Sequence, residues 1–325
     1  MTDNIYKNIY RIYVLLPGNP LKYLNSYVIR SVDGGKNLLI DTGFNRPECL
    51  SALLDGLKEL GLRPEDTDVF ISHVHSDHAG NAAALQELGS HIIMTRTDYV
   101  ELQNIDWPAR GRWYMSEGMP VDVWNGVFIN NPAIRYAPAH FDAECVDDGD
   151  MLCYGGFSLR CIKTPGHTLG HMCLYCADEK LLFSGDHVLF DITPNICTMG
   201  PDTNMLGDYL KSLEKLRSFD ISLTLPSHRS TPSRSIYERI DALMRHHKAR
   251  LSETERIVLS GHGLDAYSVA GRMTWKIRSD NWETFPISQK WFAMGEAIAH
   301  LQYLCAEGRI VREALPDGRT VYRGA

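Results

Sequence analysis

The stretch His73-Val74-His75-Ser76-Asp77-His78 decides how this chain is read. It follows the apolar run Val69-Phe70-Ile71-Ser72, whose length and composition predict a buried strand. It precedes residues 79–88, whose apolar spacing predicts a helix closed by Gly89. A strand end that carries three imidazoles and a carboxylate is suited to metal. Residues 73 and 75 project to one side with period two and can share one cation, while a turn at Ser76 redirects Asp77 and His78 toward a second. Imidazole with carboxylate suits Zn²⁺ first, with Fe or Mn as alternatives.

Working outward, three more segments repeat the pattern. Thr164-Pro165-Gly166-His167-Thr168-Leu169-Gly170-His171 places a histidine on a glycine-punctuated turn after a strand. Phe183-Ser184-Gly185-Asp186-His187 ends the apolar run 181–183 in an aspartate, and Leu225-Pro226-Ser227-His228-Arg229 ends another in a histidine. One such residue alone is most simply a structural hydrogen-bonder. Four strand ends delivering metal-type residues to one edge are not explained by packing.

The intervening elements predict a layered α/β domain. Two strands fall within 10–30 around Pro17-Gly18-Asn19-Pro20, and a strand over 37–40 runs into Asp41-Thr42-Gly43. A helix over 48–60 stops at Gly61, a strand covers 91–95, and β-rich runs return from 146 to 225. Residues 97–130 interrupt this order with Tyr99, Trp107, Trp113, Tyr114, Met115, Met119, Trp124 and Phe128. They read either as a lid or substrate wall, or as a helical excursion burying its own aromatics.

Taken in order, these motifs resemble the metallo-β-lactamase superfamily over about residues 10–230. The resemblance implies an αββα sandwich and a site for two divalent metal ions. It implies His73, His75 and His167 as ligands of a first ion, Asp77, His78 and His228 as ligands of a second, and Asp186 as the bridging carboxylate. Asp41 matches the family's early aspartate, which supports the ligand loop. The implied chemistry is hydrolysis by a metal-bridging hydroxide, formed near neutral pH, with Asp77 orienting the nucleophile or shuttling a proton. Proximity to these motifs makes Tyr114, His140, Lys163, Asn195 and Arg229 candidates for substrate contact. His171 and His187 read either as groups that support the site or as structural histidines. Cys173 and Cys176 lie in a predicted strand, where residues three apart face opposite sides, so they read as a buried structural pair. His246-His247, beside Arg245, Lys248 and Arg250, read as a solvated helix face.

After residue 230 the pattern becomes helical, over 235–259, 264–273 and 287–306, and ends in a hairpin turning at Pro316-Asp317-Gly318. That is the order of a winged helix, and one branch of the superfamily carries one. The expected division is 1–232 for a hydrolase domain and 233–325 for a helical linker plus a winged-helix-like domain. The whole chain of 325 residues is 44% hydrophobic and 22% charged, which excludes a disordered chain or a coiled-coil rod. Its 40 acidic and 33 basic residues give −7, a balance that disfavours nucleic acid and anionic membranes as partners. From 241 to 325, twelve Lys/Arg against ten Asp/Glu leave only +2 for the winged helix. No apolar run is long enough to span a bilayer, no leader is visible, and eight scattered cysteines suit a cytoplasmic setting. The expected function is a dinuclear hydrolase of a small ester, thioester or lactone. The alternatives are a winged-helix-assisted endoribonuclease and a metal-sensing DNA-binding regulator.

Overall fold

A computed structural model describes residues 2–230, 234–276 and 281–325. The expected domain boundary at 232/233 lies outside the described residues. Seven strands form the first sheet in sequential order: β1 (Thr2–Tyr6), β2 (Ile9–Leu15), β3 (Tyr23–Ile29), β4 (Asn37–Ile40), β5 (Thr67–Ile71), β6 (Ile92–Thr95) and β7 (Glu144–Val146). β1 to β4 pair antiparallel and β4 to β7 parallel. Each parallel step requires a crossover. The first is α1 (Pro47–Glu59), and the second is α2 (Ser76–Ala79) with α3 (Ala82–Glu87). The third is the insertion, which forms α4 (Arg96–Gln103), α5 (Trp107–Ser116), α6 (Val121–Asn130) and α7 (Pro132–Arg135).

The second sheet contains β8 (Met151–Tyr154), β9 (Phe157–Lys163), β10 (Met172–Cys176), β11 (Leu181–Gly185) and β12 (Leu223–Pro226), in the order β12-β11-β10-β9-β8. Strand alternation sends neighbouring residues to different cores. Leu38 and Ile40 join Phe70, Leu159, Phe183 and Leu225 between the sheets, while Leu39 faces Leu53 and Leu57 of α1. On the outer face of the second sheet, Ile162 and Leu182 meet α8 (Met205–Leu216), α9 (Ile236–Leu259) and α11 (Ile287–Ala306). The layers are therefore α, β, β, α, as expected. α10 (Ala266–Arg272) and the hairpin of β13 (Ile310–Ala314) with β14 (Thr320–Gly324) complete the C-terminal part.

Four details depart from the sequence reading. β1 is a polar edge strand with no apolar alternation to reveal it. The helix expected over 79–88 breaks after Ala79: a Cβ on Gly80 would meet the Asn45 nitrogen at 2.3 Å, and Asn81 Nδ2 donates to the carbonyls of Thr42 and Phe44 at 2.8 Å. The insertion buries its aromatics largely on the C-terminal helices, with Tyr114, Met119, Trp124 and Val127 sharing a core with Met294, Ala297 and Ile298. Finally, His247 is not on a solvated face. It is 1% exposed, edge-on to Tyr209 at 5.4 Å, with Nδ1 3.4 Å from Nε2 of His300. His246, one residue earlier and about 100° round the helix, lines a cleft instead.

A buried carboxylate ties the insertion to the C-terminal hairpin. Glu117, which follows α5, is fully buried; its Oε1 accepts from Arg312 Nη2 at 2.8 Å and its Oε2 from the Tyr322 hydroxyl at 2.9 Å. Glu117→Ala leaves that buried hydroxyl without a partner, and the expected loss is about 1–3 kcal/mol in urea unfolding. A second prediction concerns pH. Burial holds His247 well below the usual imidazole range and pushes His300 down to about 3. The unfolded chain therefore binds protons that the native state refuses, and stability falls as pH drops below about 6.5. Unfolding of His247→Gln at pH 7 and pH 5 should show a shallower loss than the parent protein.

Candidate metal centre

The cluster forms where the ends of the two sheets meet. Asn25 Nδ2 and the Tyr27 hydroxyl, both on β3, donate to the Pro226 carbonyl at 2.9 and 2.8 Å, which brings the end of β12 and His228 over the first sheet. Asp41, just past β4, organises the interior. Its backbone is left-handed at φ +64, a conformation aspartate tolerates better than most residues. Oδ1 accepts the Ser72 N–H at 2.8 Å, and Oδ2 accepts the Ser72 hydroxyl at 2.8 Å and the Ser227 hydroxyl at 3.2 Å. Oδ2 also accepts His78 Nδ1–H at 2.8 Å.

Three of the four remaining histidines are oriented through one ring nitrogen, while His75 Nδ1 lies 3.1 Å from Nε2 of His73. His167 Nδ1 donates to the Asn195 carbonyl at 2.8 Å, His228 Nδ1 to the Tyr23 carbonyl at 3.1 Å, and His73 Nδ1 meets Ser72 Oγ at 3.0 Å. The other nitrogens converge, as expected of ligands held by outer partners. His73, His75 and His167 form one group, His73, His78 and Asp186 a second, and Asp77, His78 and His228 a third; within each, the ligand atoms lie within 4.8 Å of one another.

The donor set fits divalent cations. Nε2 of His78, His167 and His228 and Oδ1 of Asp186 are buried and make no hydrogen bond. His228 Nε2 faces Asp77 and Asp186 at 3.4 and 3.5 Å, and His78 and His167 each face Asp186 at 3.6 Å. Leaving each such atom unsatisfied costs about 1–3 kcal/mol, so a shared partner is strongly favoured. Protonation states agree. Burial lowers His75 to about 3 and keeps His73 and His167 low, so these imidazoles present lone pairs. Burial opposes charge on His78, yet Asp41, Asp186 and Asp77 raise its pKa well above the usual value. Protons thus gather where positive charge is wanted.

Residues 21–228 match the family model of the metallo-beta-lactamase superfamily, and residues 284–325 match that of the metallo-beta-lactamase-like C-terminal domain. The chain belongs to the metallo-beta-lactamase superfamily. It is 27% identical over 218 residues to an atrochrysone carboxyl ACP thioesterase of Emericella nidulans, a match covering 67% of this chain and 55% of that one. A beta-lactamase domain protein from Burkholderia ambifaria superposes with TM-score 0.85 at 26% identity, over 100% of this chain and 94% of its own. A metallo-beta-lactamase family protein from Thermus thermophilus does so with TM-score 0.81 at 26% identity, over 98% and 99%. The chain spans 55 to 60% of the length of three curated fungal relatives that it matches. The superfamily fold implies divalent metal ions, and the His/Asp cluster stands where that chemistry needs it.

A cleft of about 1790 Å³ opens over His75, Asp77, His167 and Asp186 and runs between the insertion and the C-terminal helices. The five residues expected at substrate separate. His140 lies on the exposed rim. Asn195 lines the cleft, and its carbonyl orients His167. Tyr114 belongs to the wall but is 1% exposed, its ring stacked on Trp124. Lys163 and Arg229 are not among the cleft-lining residues: Lys163 Nζ donates to Thr97 Oγ1 at 2.7 Å, and Arg229 Nη2 to the Pro20 carbonyl at 2.7 Å. Proximity in sequence to a ligand does not carry a side chain to the same side of the loop. Cys173 and Cys176 are free thiols buried in different cores, as the alternation required.

His171 has a defined place. The Asp186 N–H donates to its Nε2 at 3.1 Å, so Nδ1 bears the proton and meets Thr164 Oγ1 at 2.8 Å. Gly185 is required beside it, because its φ is +51 and a Cβ would stand 2.5 Å from His171 Nε2. The sequence reading missed Asp98, although it follows a predicted strand closely, as Asp41 and Asp186 do. Asp41→Asn tests the network: the amide cannot accept all four hydrogens, so His78 should lose its Nδ1–H bond. The expected results are a changed His78 ring ¹⁵N signature in metal-depleted protein and a stability loss of about 2–4 kcal/mol.

Proposed function

We propose that this protein is a dinuclear metal hydrolase acting on a small ester, thioester or lactone. The observation that carries the reading is the set of buried imidazole and carboxylate atoms that lack hydrogen bonds and converge beneath a wide cleft. His73, His75 and His167 would hold one ion, Asp77, His78 and His228 the other, and Asp186 would stand between them. Zn²⁺ suits five imidazoles better than Fe or Mn. When bound, the ions would supply an activated water and positive charge for the acyl oxygen. The chain's own residues do the rest. Burial opposes charge on Asp77, but His78 and His228 outweigh it and hold the carboxyl at about 2, so at neutral pH it presents an ionised carboxylate that can orient a water through a hydrogen bond. Asn195 and His171 keep His167 and Asp186 aimed at the cleft. Trp107, Tyr136, Trp291 and Phe292 offer apolar surface to an acyl chain. The thioesterase relative supports this substrate class.

The C-terminal helices and hairpin, read as a winged helix, favour a structural role over nucleic-acid binding. Arg309, Arg312, Arg319 and Arg323 on the hairpin each pair with a carboxylate, on Glu255, Glu117, Asp317 and Glu313. Such pairing reduces the positive charge available to phosphates, against both the endoribonuclease and the DNA-binding readings. Among the described residues no helix is long and apolar enough to cross a membrane. The eight unpaired cysteines support a cytoplasmic location.

A panel of lactoylglutathione, homoserine lactones, nitrocefin and labelled single-stranded RNA tests the substrate class. Ester, lactone or thioester turnover should fall at least about 100-fold in Asp77→Ala and His167→Ala, with far-ultraviolet circular dichroism unchanged. Full turnover by metal-saturated Asp77→Ala would sink the reading, as would RNA cleavage without acyl turnover.

A further inference from the structure

Asp98 lies in the first turn of α4, is fully buried, and belongs to no ligand group. Its Oδ2 accepts the N–H of Val74 at 2.9 Å and the hydroxyl of Thr168 at 2.6 Å; its Oδ1 accepts the N–H of Gly170 at 2.6 Å. Val74 separates His73 from His75, and Thr168 follows His167. A single carboxylate thus ties together two loops that leave different sheets and that between them carry every member of the three-histidine group. Gly170 leaves no slack, since a Cβ there would meet the Asp98 nitrogen at 2.6 Å and Oδ1 at 2.7 Å. One backbone bond, Met172 N–H to the Ser72 carbonyl at 2.9 Å, also joins these loops, at their far end from His167.

We infer that Asp98 is a positioning residue that clamps His73, His75 and His167 into one metal-ready geometry and couples them to the wall of the substrate cleft. The coupling follows from its place in the chain: α4 continues into Glu101, Leu102 and Gln103 of the cleft lining, and α5 adds Trp107 and Arg110. Burial pushes the Asp98 carboxyl up to about 6, against three donors that favour the charged form. At neutral pH it is ionised and all three donors are satisfied. The inference rests on the metal centre proposed above.

The test is a titration of metal-depleted full-length protein with Zn²⁺ against a chromophoric chelator, for the parent, Thr168→Val, Asp98→Asn and Asp98→Ala. Affinity for one of two Zn²⁺ equivalents should fall about 10- to 100-fold in Asp98→Ala, with smaller graded losses in Asp98→Asn and Thr168→Val. The other equivalent should change far less. Thr168→Val removes one bond and keeps the carboxylate, so the series remains readable if Asp98→Ala fails to fold. Parent-like affinity for both equivalents across the folded variants, even with a lowered melting temperature, overturns the clamp and leaves the metal centre standing. A parent protein that takes up no Zn²⁺ overturns the metal centre itself, and the clamp with it.

Discussion

Buried polar atoms that face one another without hydrogen bonds are the constraint on which the rest of this structure depends. Nε2 of His78, His167 and His228 face carboxylate oxygens at 3.4 to 3.6 Å, and these nitrogens and Oδ1 of Asp186 are buried at the floor of the cleft. They are unpaired in this arrangement, and the surrounding fold holds them in place at a cost. It does so through the second nitrogen of each ring and through Asp41, whose carboxylate draws hydrogens from Ser72, Ser227 and His78. These partners come from both sheets. The centre and the sandwich are therefore one structure, each incomplete without the other.

The same logic extends outward to the insertion and the C-terminal helices. Glu117 is buried against Tyr322 and accepts a hydrogen bond from Arg312, so separating the insertion from the hairpin breaks both bonds. Trp124 and Met119 add an apolar surface shared with α11. The cleft is walled on one side by the insertion and on the other by α9 and α11, and its width is set by packing between elements far apart in sequence. Asp98 at one end of the insertion and Glu117 further along make that wall a rigid connection between the metal loops and the C-terminal part.

Much of this was legible in the sequence because the relevant signals are local. His73, His75, Asp77 and His78 occupy six consecutive residues after a buried strand, and each further ligand motif also ends a strand. The alternation of short strands and helices gave a layered α/β domain and, after residue 230, helices followed by a hairpin, while the order of the motifs carried the family resemblance that implied the αββα layers. Where the reading failed, the cause was a contact with no sequence-local trace. His247 sits among charged residues on α9, and only its contact with Tyr209 and His300 makes it a core residue. Lys163 and Arg229 flank the motifs closely, yet the turn of the backbone sends their side chains to Thr97 and Pro20.

By itself, the sequence determined the imidazole and carboxylate chemistry at the strand ends, the layered α/β class and the change to helices and a hairpin after residue 230, because periodicity and strand-end chemistry are properties of neighbours along the chain; the αββα order came through the family resemblance that those motifs carry. Only the tertiary structure decided which groups orient the clustered histidines, that the aromatic insertion packs on the C-terminal helices, and that Asp98 joins the two histidine loops. Those outcomes depend on hydrogen bonds and packing between residues tens to hundreds of positions apart. Such contacts are selected by the three-dimensional satisfaction of buried polar groups, a condition that no window of sequence displays.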